Sequence, residues 1–493
     1  MHLTCLVSLA FAAATLSAQA KSSPDLDRAR QQLQDRTEEQ VTEGAQLCAR
    51  LDSVPAVEAL LEVIEQTERR TFQHLPPGHY RDIVWDALVK IKDTYARKRV
   101  ELELKNSHDE SVRSWCAELL GIYGDATFGD TLRHALSAKN GDEVVRQAAR
   151  ALGMLKYADA VPQLVPLCQD KNDYVRANAI EALARIDQAR VVALTTAIAK
   201  DKSGGVRCAL LGAAPELCGD DTEALCTAAL HDPDWRPRMQ AVENLGHIKT
   251  KTSVDALIAA LRDGRPVVAA RAERELQELT GQPIKQREMW EKWWADNRAA
   301  FAFPEKRGVA KHEGGTVAYN GVPVDSDHVA FLIDKSVQMR ATLQSKGMPK
   351  EEAAQQELQQ VLVKLSDKIT FNVFDYDIEV RAFAKKAVPL TPKSRERALA
   401  FAGEKSDGKE KDIWQALVTV VDDPTLDTAY LLSSGEPDTG LYVHWNRVTR
   451  HLADLNRFHK VTVHAIAYTD SEWFRDQLLK IAEVTGGEFQ WFK

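Results

Sequence analysis

Asp334 and Ser336 are the residues best placed to do chemistry. They follow an apolar run, His328 to Ile333, that lacks the alternation of a half-exposed strand and is predicted to be a buried strand of a parallel sheet. In open α/β sheets, ligands sit outside the carboxyl ends of the strands, so this carboxylate and hydroxyl stand where a site would be. Other chemistries find less support. No serine occupies a G-x-S-x-G elbow, and no C-x-x-C occurs. His444 and His451 share a helix face but are separated by about 10.5 Å along the axis, too far for one metal ion. His464 lies inside an apolar run and reads as a core residue. Asp375, Asp377 and Glu379 crowd one turn, yet the glycine and the downstream ligand series of a calcium loop are missing.

Positioning Asp334 requires a sheet, and the flanking sequence supplies one. Strands are expected at Ile369–Phe374, Ala429–Leu432, Val461–Ala467 and Phe489–Phe492, with Glu379–Phe383 as an antiparallel edge. Helices are expected at Glu351–Lys364, Ile413–Val421, Val443–Leu455 and Phe474–Val484. Strands alternating with helices predict an α/β doubly wound, mostly parallel sheet.

Several motifs in this region resemble the von Willebrand factor type A (VWA) family, from Val317 to the end. They are Tyr319-Asn-Gly-Val-Pro-Val-Asp-Ser-Asp327 before the strand, Asp334-Lys-Ser336 after it, Asp427 to Gly440 around a central strand, and Thr485-Gly486-Gly487 near the close. The resemblance implies a VWA/Rossmann-like fold whose first strand ends in Asp-x-Ser-x-Ser, part of a metal-ion-dependent adhesion site. Carried over by position, Asp334 and Ser336 are kept, Gln338 replaces the second serine, Lys411 replaces a threonine, and Ser434 replaces an aspartate. An ammonium has three donors and no acceptor, so it cannot ligate a metal, and Mg²⁺ loses a carboxylate it needs. Turned inward, Lys411 would take the cation's place beside Asp334 and make a pseudo-site; turned outward, it leaves Asp334 to cap a loop or helix. The alternative is a metal-dependent adhesion protein in which Asp334 and Ser336 are ligands and Asp412, Glu410 or Glu436 supplies the missing carboxylate.

Upstream, a repeat is visible. Arg113, Arg146, Arg176, Arg207 and Arg238 follow one another at 33, 30, 31 and 31 residues, each opening an Ala/Leu-rich helix, with Val268-Ala269 as a decayed last copy. A period near 30 built from two helices means an α-solenoid. The pattern D-x-x-x-V-R-x-x-A-x-x-A-L resembles short bacterial HEAT-like repeats. Aspartate caps the helix, and the arginine column is read as a structural ladder to the acidic loop of the next unit, each surface rung contributing about 0–1 kcal/mol. Some relatives attach bilins or hydroxylate lysine, but the cysteine or His/Glu set this needs is not found. Trp290, Trp293 and Trp294 are expected to form an aromatic cap on the open repeat end.

The 493 residues, 44% hydrophobic and 28% charged, suffice for two or three domains. A net charge of −8 argues against nucleic acid as the main partner. Met1–Ala20 reads as a signal peptide ending in Ala18-Gln19-Ala20, which predicts export to the periplasm or beyond; no other stretch is apolar enough to span a membrane. The expected order is a signal peptide (1–20), a leading helix or linker (21–53), HEAT-like repeats (54–281), the tryptophan cap (282–302), a linker (303–316) and the VWA-like domain (317–493). Cys218 and Cys226 flank a short turn and are disulfide candidates; the other cysteines read as small buried hydrophobes. The functional expectation is a non-enzymatic scaffold, without cofactor, that binds protein partners through the concave face of the repeats and through the VWA-like domain, where Lys411 meets an acidic partner side chain or the top face is silent.

Overall fold

A computed structural model of the chain describes residues 23–68, 75–217, 221–308, 317–406 and 408–493. The expected signal peptide and Cys218, hence the Cys218–Cys226 bridge, lie outside them. The chain divides into two compact units, Met1–Leu155 and Lys156–Lys493.

The first unit holds helices α1 (Pro24–Leu33), α2 (Glu38–Leu51), α3 (Val54–Glu68), α4 (Pro77–Leu88), α5 (Thr94–Asn106), α6 (Glu110–Tyr123), α7 (Gly129–Ala135) and α8 (Asp142–Leu155). The segment expected as a leading helix or linker is instead the hairpin α1–α2. Ser23 and Thr37 cap the two helices, and Leu26, Ala29 and Leu33 bury against a stripe of Val41, Ala45 and Cys48. Contact is close: a Cβ at Gly44 would lie 2.9 Å from the Ala29 carbonyl oxygen. The stripe is narrow and built partly of small residues, so the polar faces dominated its reading.

The second unit continues with α9 (Val161–Leu167), α10 (Asp173–Ile186), α11 (Gln188–Ile198), α12 (Gly204–Leu217), α13 (Thr222–Ala229), α14 (Trp235–Gly246), α15 (Lys251–Ala260), α16 (Pro266–Thr280) and α17 (Arg287–Asn297). The repeat-opening helices α10, α12, α14 and α16 pack in sequence, each with a shorter partner. Asn172 and Asp234 cap α10 and α14 through their side chains, whereas α16, opened by Pro266, has no side-chain cap. Trp290 and Trp294 of α17 bury against Leu257, Leu276 and Leu279, and Trp294 Nε1 donates to Asp255 at 2.6 Å. Trp293, Phe301 and Phe303 extend this cluster edge to face. Cys48, Cys116, Cys168 and Cys208 are free and buried, and Cys226 is buried; burial pushes the Cys48 thiol up to about 11 and those of Cys168 and Cys208 up to about 12.

The sheet follows. Its strands are β3 (His328–Asp334), β6 (Thr370–Tyr376), β7 (Val380–Ala382), β8 (Val388–Pro389), β9 (Thr428–Ser433), β10 (Thr462–Tyr468) and β11 (Phe489–Phe492), after the hairpin β1 (Ala318–Tyr319) and β2 (Val322–Pro323) and interrupted by the hairpin β4 (Thr342–Leu343) and β5 (Met348–Pro349). The order is β11-β10-β9-β3-β6-β7, with β8 also paired to β6. β3, β6, β9, β10 and β11 run parallel, and β7 and β8 are antiparallel additions. Helices α18 (Lys350–Lys364) and α19 (Pro392–Ala402) cover one face through Leu358, Val361, Leu362 and Ala398. Helices α20 (Ile413–Val421), α21 (Trp445–His459) and α22 (Glu472–Thr485) cover the other through Leu417, Val448, Leu452 and Leu478. Both faces are therefore buried, which is why β3 reads as one unbroken apolar run. The Asn320-Gly321 turn between β1 and β2 has φ of 49° and 82°, the left-handed pair that suits a two-residue hairpin. No described helix is long and apolar enough to cross a membrane.

Candidate functional site

β3 delivers Asp334 to the carboxyl end of the sheet, fully buried, opposite Tyr376 of β6. Its Oδ1 accepts the Ser336 N–H at 2.8 Å, which turns the loop back over the strand end. Its Oδ2 accepts the Ser434 N–H at 2.9 Å and the Ser434 hydroxyl at 2.6 Å, from the loop after β9. Lys411, just ahead of α20, points inward and is fully buried. Its Nζ lies 3.3 Å from Asp334 Oδ2, 3.3 Å from Ser336 Oγ, 2.5 Å from Gln338 Oε1 and 3.4 Å from Ser434 Oγ.

Four of the five residues singled out at this end thus converge on the ammonium of the fifth, Lys411. Burial pushes the Asp334 carboxyl up, but Lys411 and the hydrogen bonds from Ser434 and Ser336 outweigh it and hold the group below its usual range. Asp334 and Lys411 cancel in charge, while Ser336, Gln338 and Ser434 accept from the ammonium through neutral oxygens. The Lys411 carbonyl is fixed as well, accepting the Asp438 and Thr439 N–H groups at 3.0 and 3.3 Å. Gln338 approaches Lys411 across Gly435, where a Cβ would come within 2.0 Å of Gln338 Oε1. The missing side chain at Gly435 leaves room for Gln338 in this position.

The carboxylates considered as replacement ligands stand apart. Asp412 caps α20, accepting the Gln415 N–H at 2.8 Å, and Glu410 and Glu436 are exposed. The direct meeting of Lys411 with an acidic partner is not what this geometry offers. The residue is fully buried, and its three hydrogens face four oxygens of its own chain. A second lysine, missed in the sequence, lies alongside. Lys350, the first residue of α18, is 9% exposed, and its backbone N–H donates to Ala341, just past the turn that carries Gln338. Burial lowers its pKa, opposed by Asp470 and reinforced by Lys411. Only its position after Pro349 could have drawn attention to it.

The remaining candidates are accounted for locally. His464 Nδ1 accepts the Glu488 N–H at 2.9 Å, and its ring stacks on Tyr430. His451 stacks on Tyr442. Asp375 pairs with Arg381 at 3.0 Å, while Asp377 turns to the Glu379 N–H and the Ser406 hydroxyl, so the turn's carboxylates do not converge. Among the described residues, Asp327, His328 and Asp427 form a group with metal-like spacing. Arg265 already sits 3.1 Å from Asp427, occupying it with a positive charge.

The arginine column divides. Arg176, Arg207 and Arg238 each grip the aspartate 25 residues ahead, Asp201, Asp232 and Asp263, through two parallel bonds of 2.6 to 2.9 Å. Each also donates to a carbonyl six residues behind, that of Asp170, Asp201 or Asp232. These rungs are not at the surface as expected: the arginine side chains are 5–14% exposed and the aspartates 6–16%. Each aspartate is further held by an N–H of its own loop, which closes the rung. Arg113 instead reaches the backbone carbonyls of Ser107 and Asn140, and Arg146 pairs with Glu143 one turn back. In the first of these loops Asn140 stands six residues before the next arginine, where the later loops carry an aspartate.

A family model of HEAT repeats matches residues 142–207 and 191–277. The human von Willebrand factor A domain-containing protein 3B is 22% identical over 202 residues, 41% of this chain and 14% of that protein. Among solved structures, a von Willebrand factor type A protein from Catenulispora acidiphila aligns with 35% of this chain and 40% of its own, at 16% identity and a TM-score of 0.29. The karyopherin Kap121p aligns with 51% of this chain and 33% of its own, at 12% identity and a TM-score of 0.35. The chain spans a small part of the curated relative's length. It carries HEAT repeats followed by a VWA-like domain.

Proposed function

We propose that the chain is an exported, non-enzymatic interaction scaffold whose VWA-like domain works without a divalent cation. HEAT repeats and a VWA-like domain together suggest a protein-interaction scaffold. The observation that carries the finer reading is the buried Lys411 Nζ, within 2.5–3.4 Å of side-chain oxygens from Asp334, Ser336, Gln338 and Ser434. An ammonium held this way takes the place that the family resemblance gives to the metal, and it brings no acceptor to a hard cation. The serines lack a free base: their neighbours are a carboxylate and an ammonium already paired with each other.

Lys350 beside the site is nine-tenths buried, so like Lys411 it does not present its ammonium to an acidic partner at the surface. Export rests on the apolar stretch Leu3–Leu16 and the small residues Ala18 and Ala20. Calorimetric titration of Mg²⁺ and Mn²⁺ into the full chain tests the central point. The expected result is no saturable binding below millimolar ion; micromolar binding that disappears in Asp334→Asn refutes the proposal.

A further inference from the structure

The carboxyl ends of the parallel strands carry the Lys411 cluster. Their opposite ends, about 20 Å away along a six-residue strand, face the helical repeats of the same unit. The contact there is made of charge. The last turn of α21 presents Arg457, His459 and Lys460, where basic groups complement the helix dipole. Arg457 pairs with Glu181 of α10 and donates to Asn178, and Lys460 pairs with Glu243 of α14 at 2.9 Å. His459 stacks on Tyr174 with ring centroids 5.5 Å apart, and the Tyr174 hydroxyl also reaches Asp422 at 3.2 Å. With signs reversed, Arg265 of the repeats pairs with Asp427 at 3.1 Å, and Arg274 of α16 with Glu488 at 3.2 Å.

Phe458 is the main knob, and it fits because Gly205 of α12 has no side chain: a Cβ there would stand 3.3 Å from that of Phe458. Beside it lies a cavity of about 370 Å³ lined by Glu243, Arg271, Arg274, Asn456, Lys460 and Thr485. Among the described residues, the hydrophobic cluster on the α20–α22 face of the sheet and the one around α14–α17 share no member. Apart from the fully buried Asp427, the side chains of these ion pairs are 13–29% exposed, and partly exposed pairs around a polar cavity characterise contacts that form and release, unlike the continuous apolar packing of a single core.

We infer that the face formed by α10, α12, α14 and α16 is an interaction surface for a basic helix end, and that in this chain the VWA-like domain is its occupant, clasped by its base through salt-sensitive pairs. Held this way, the Lys411 end of the sheet points away from the repeats. Raising the salt, or a competing basic segment, releases the domain and uncovers the acidic stripe of Glu181 and Glu243. The inference does not depend on whether a cation binds at Asp334.

Hydrogen exchange of the full chain, read by mass spectrometry in 50 mM and 1 M NaCl, tests it. Peptides covering residues 174–181 and 456–464 are expected to exchange at least tenfold faster in high salt, while β9 and β3 stay protected. Arg457→Glu with Lys460→Glu should produce the same change at 50 mM NaCl. Adding Glu181→Lys and Glu243→Lys should restore protection, which separates release from misfolding. Equal exchange at both salt concentrations, or a double charge reversal without effect, overturns the inference, as does failure of the fourfold swap to restore protection.

Discussion

Lys411 Nζ lies 3.3 Å from Asp334 Oδ2, with both side chains fully withdrawn from solvent. Two charges so placed are stable only together, because the low-dielectric surroundings magnify the cost of either one alone.

Removing the ammonium therefore leaves a buried carboxylate without its counter-charge. Lys411→Met is expected to destabilise the VWA-like domain by about 3–5 kcal/mol, read as a drop in its urea midpoint. Lys411→Met combined with Asp334→Asn should recover much of that loss. A single mutant as stable as the wild type would show that the pair contributes nothing.

The ladder makes a parallel case within the repeats. Arg207 and Asp232 are 11% and 12% exposed and doubly bonded, so Arg207→Ala should cost about 3–5 kcal/mol. Arg146, whose partner Glu143 is 45% exposed, should cost about 1 kcal/mol or less on the same change. Thermal denaturation of the two variants side by side checks the order.

Asp375 and Asp334 respond to pH in opposite senses. Asp334 is held below its usual range, so its contribution is present above about pH 4 and is lost as pH falls through the folded value. Burial raises Asp375 from 3.8 to about 6 against the opposing pull of Lys335 and Arg381, so the folded state holds its proton more tightly than the unfolded chain. Its contribution is present at the acid end and is lost as pH rises from about 4 to 6. Relative to Asp375→Asn, the wild type should lose about 2–3 kcal/mol across that window, measured by urea denaturation at each pH. A constant difference would contradict the assignment.

Much of this was legible in the sequence. The unbroken run ending at Asp334 identified a doubly covered strand because both faces of β3 are buried. The 31-residue spacing located the ladder, since Arg176, Arg207 and Arg238 recur where their aspartates recur. Burial of those rungs was not legible, because residue type alone marks arginine and aspartate as surface groups and only the stacked loops enclose them. Lys411 could be assigned its position, but not the set of four oxygens that uses up its donors. That outcome depends on Gly435 letting Gln338 pass, a contact between loops 97 residues apart in number. α19 also went unread: its fully buried positions, Ala398 and Ala402, are small, and its capping box of Thr391 and Ser394 is a variant of the usual Ser/Thr-x-x-Glu pattern.

The central claim is that the ammonium excludes a divalent ion from the strand ends. The most direct test compares Mn²⁺ binding, by electron paramagnetic resonance of the free ion, to the wild type and to the triple variant Gln338→Ser, Lys411→Thr, Ser434→Asp, which restores an oxygen ligand set around Asp334 and Ser336. The account predicts no saturable binding by the wild type below millimolar Mn²⁺ and at least a tenfold gain in affinity for the variant. Micromolar binding by the wild type, unimproved by the three changes and abolished by Asp334→Asn, would contradict it.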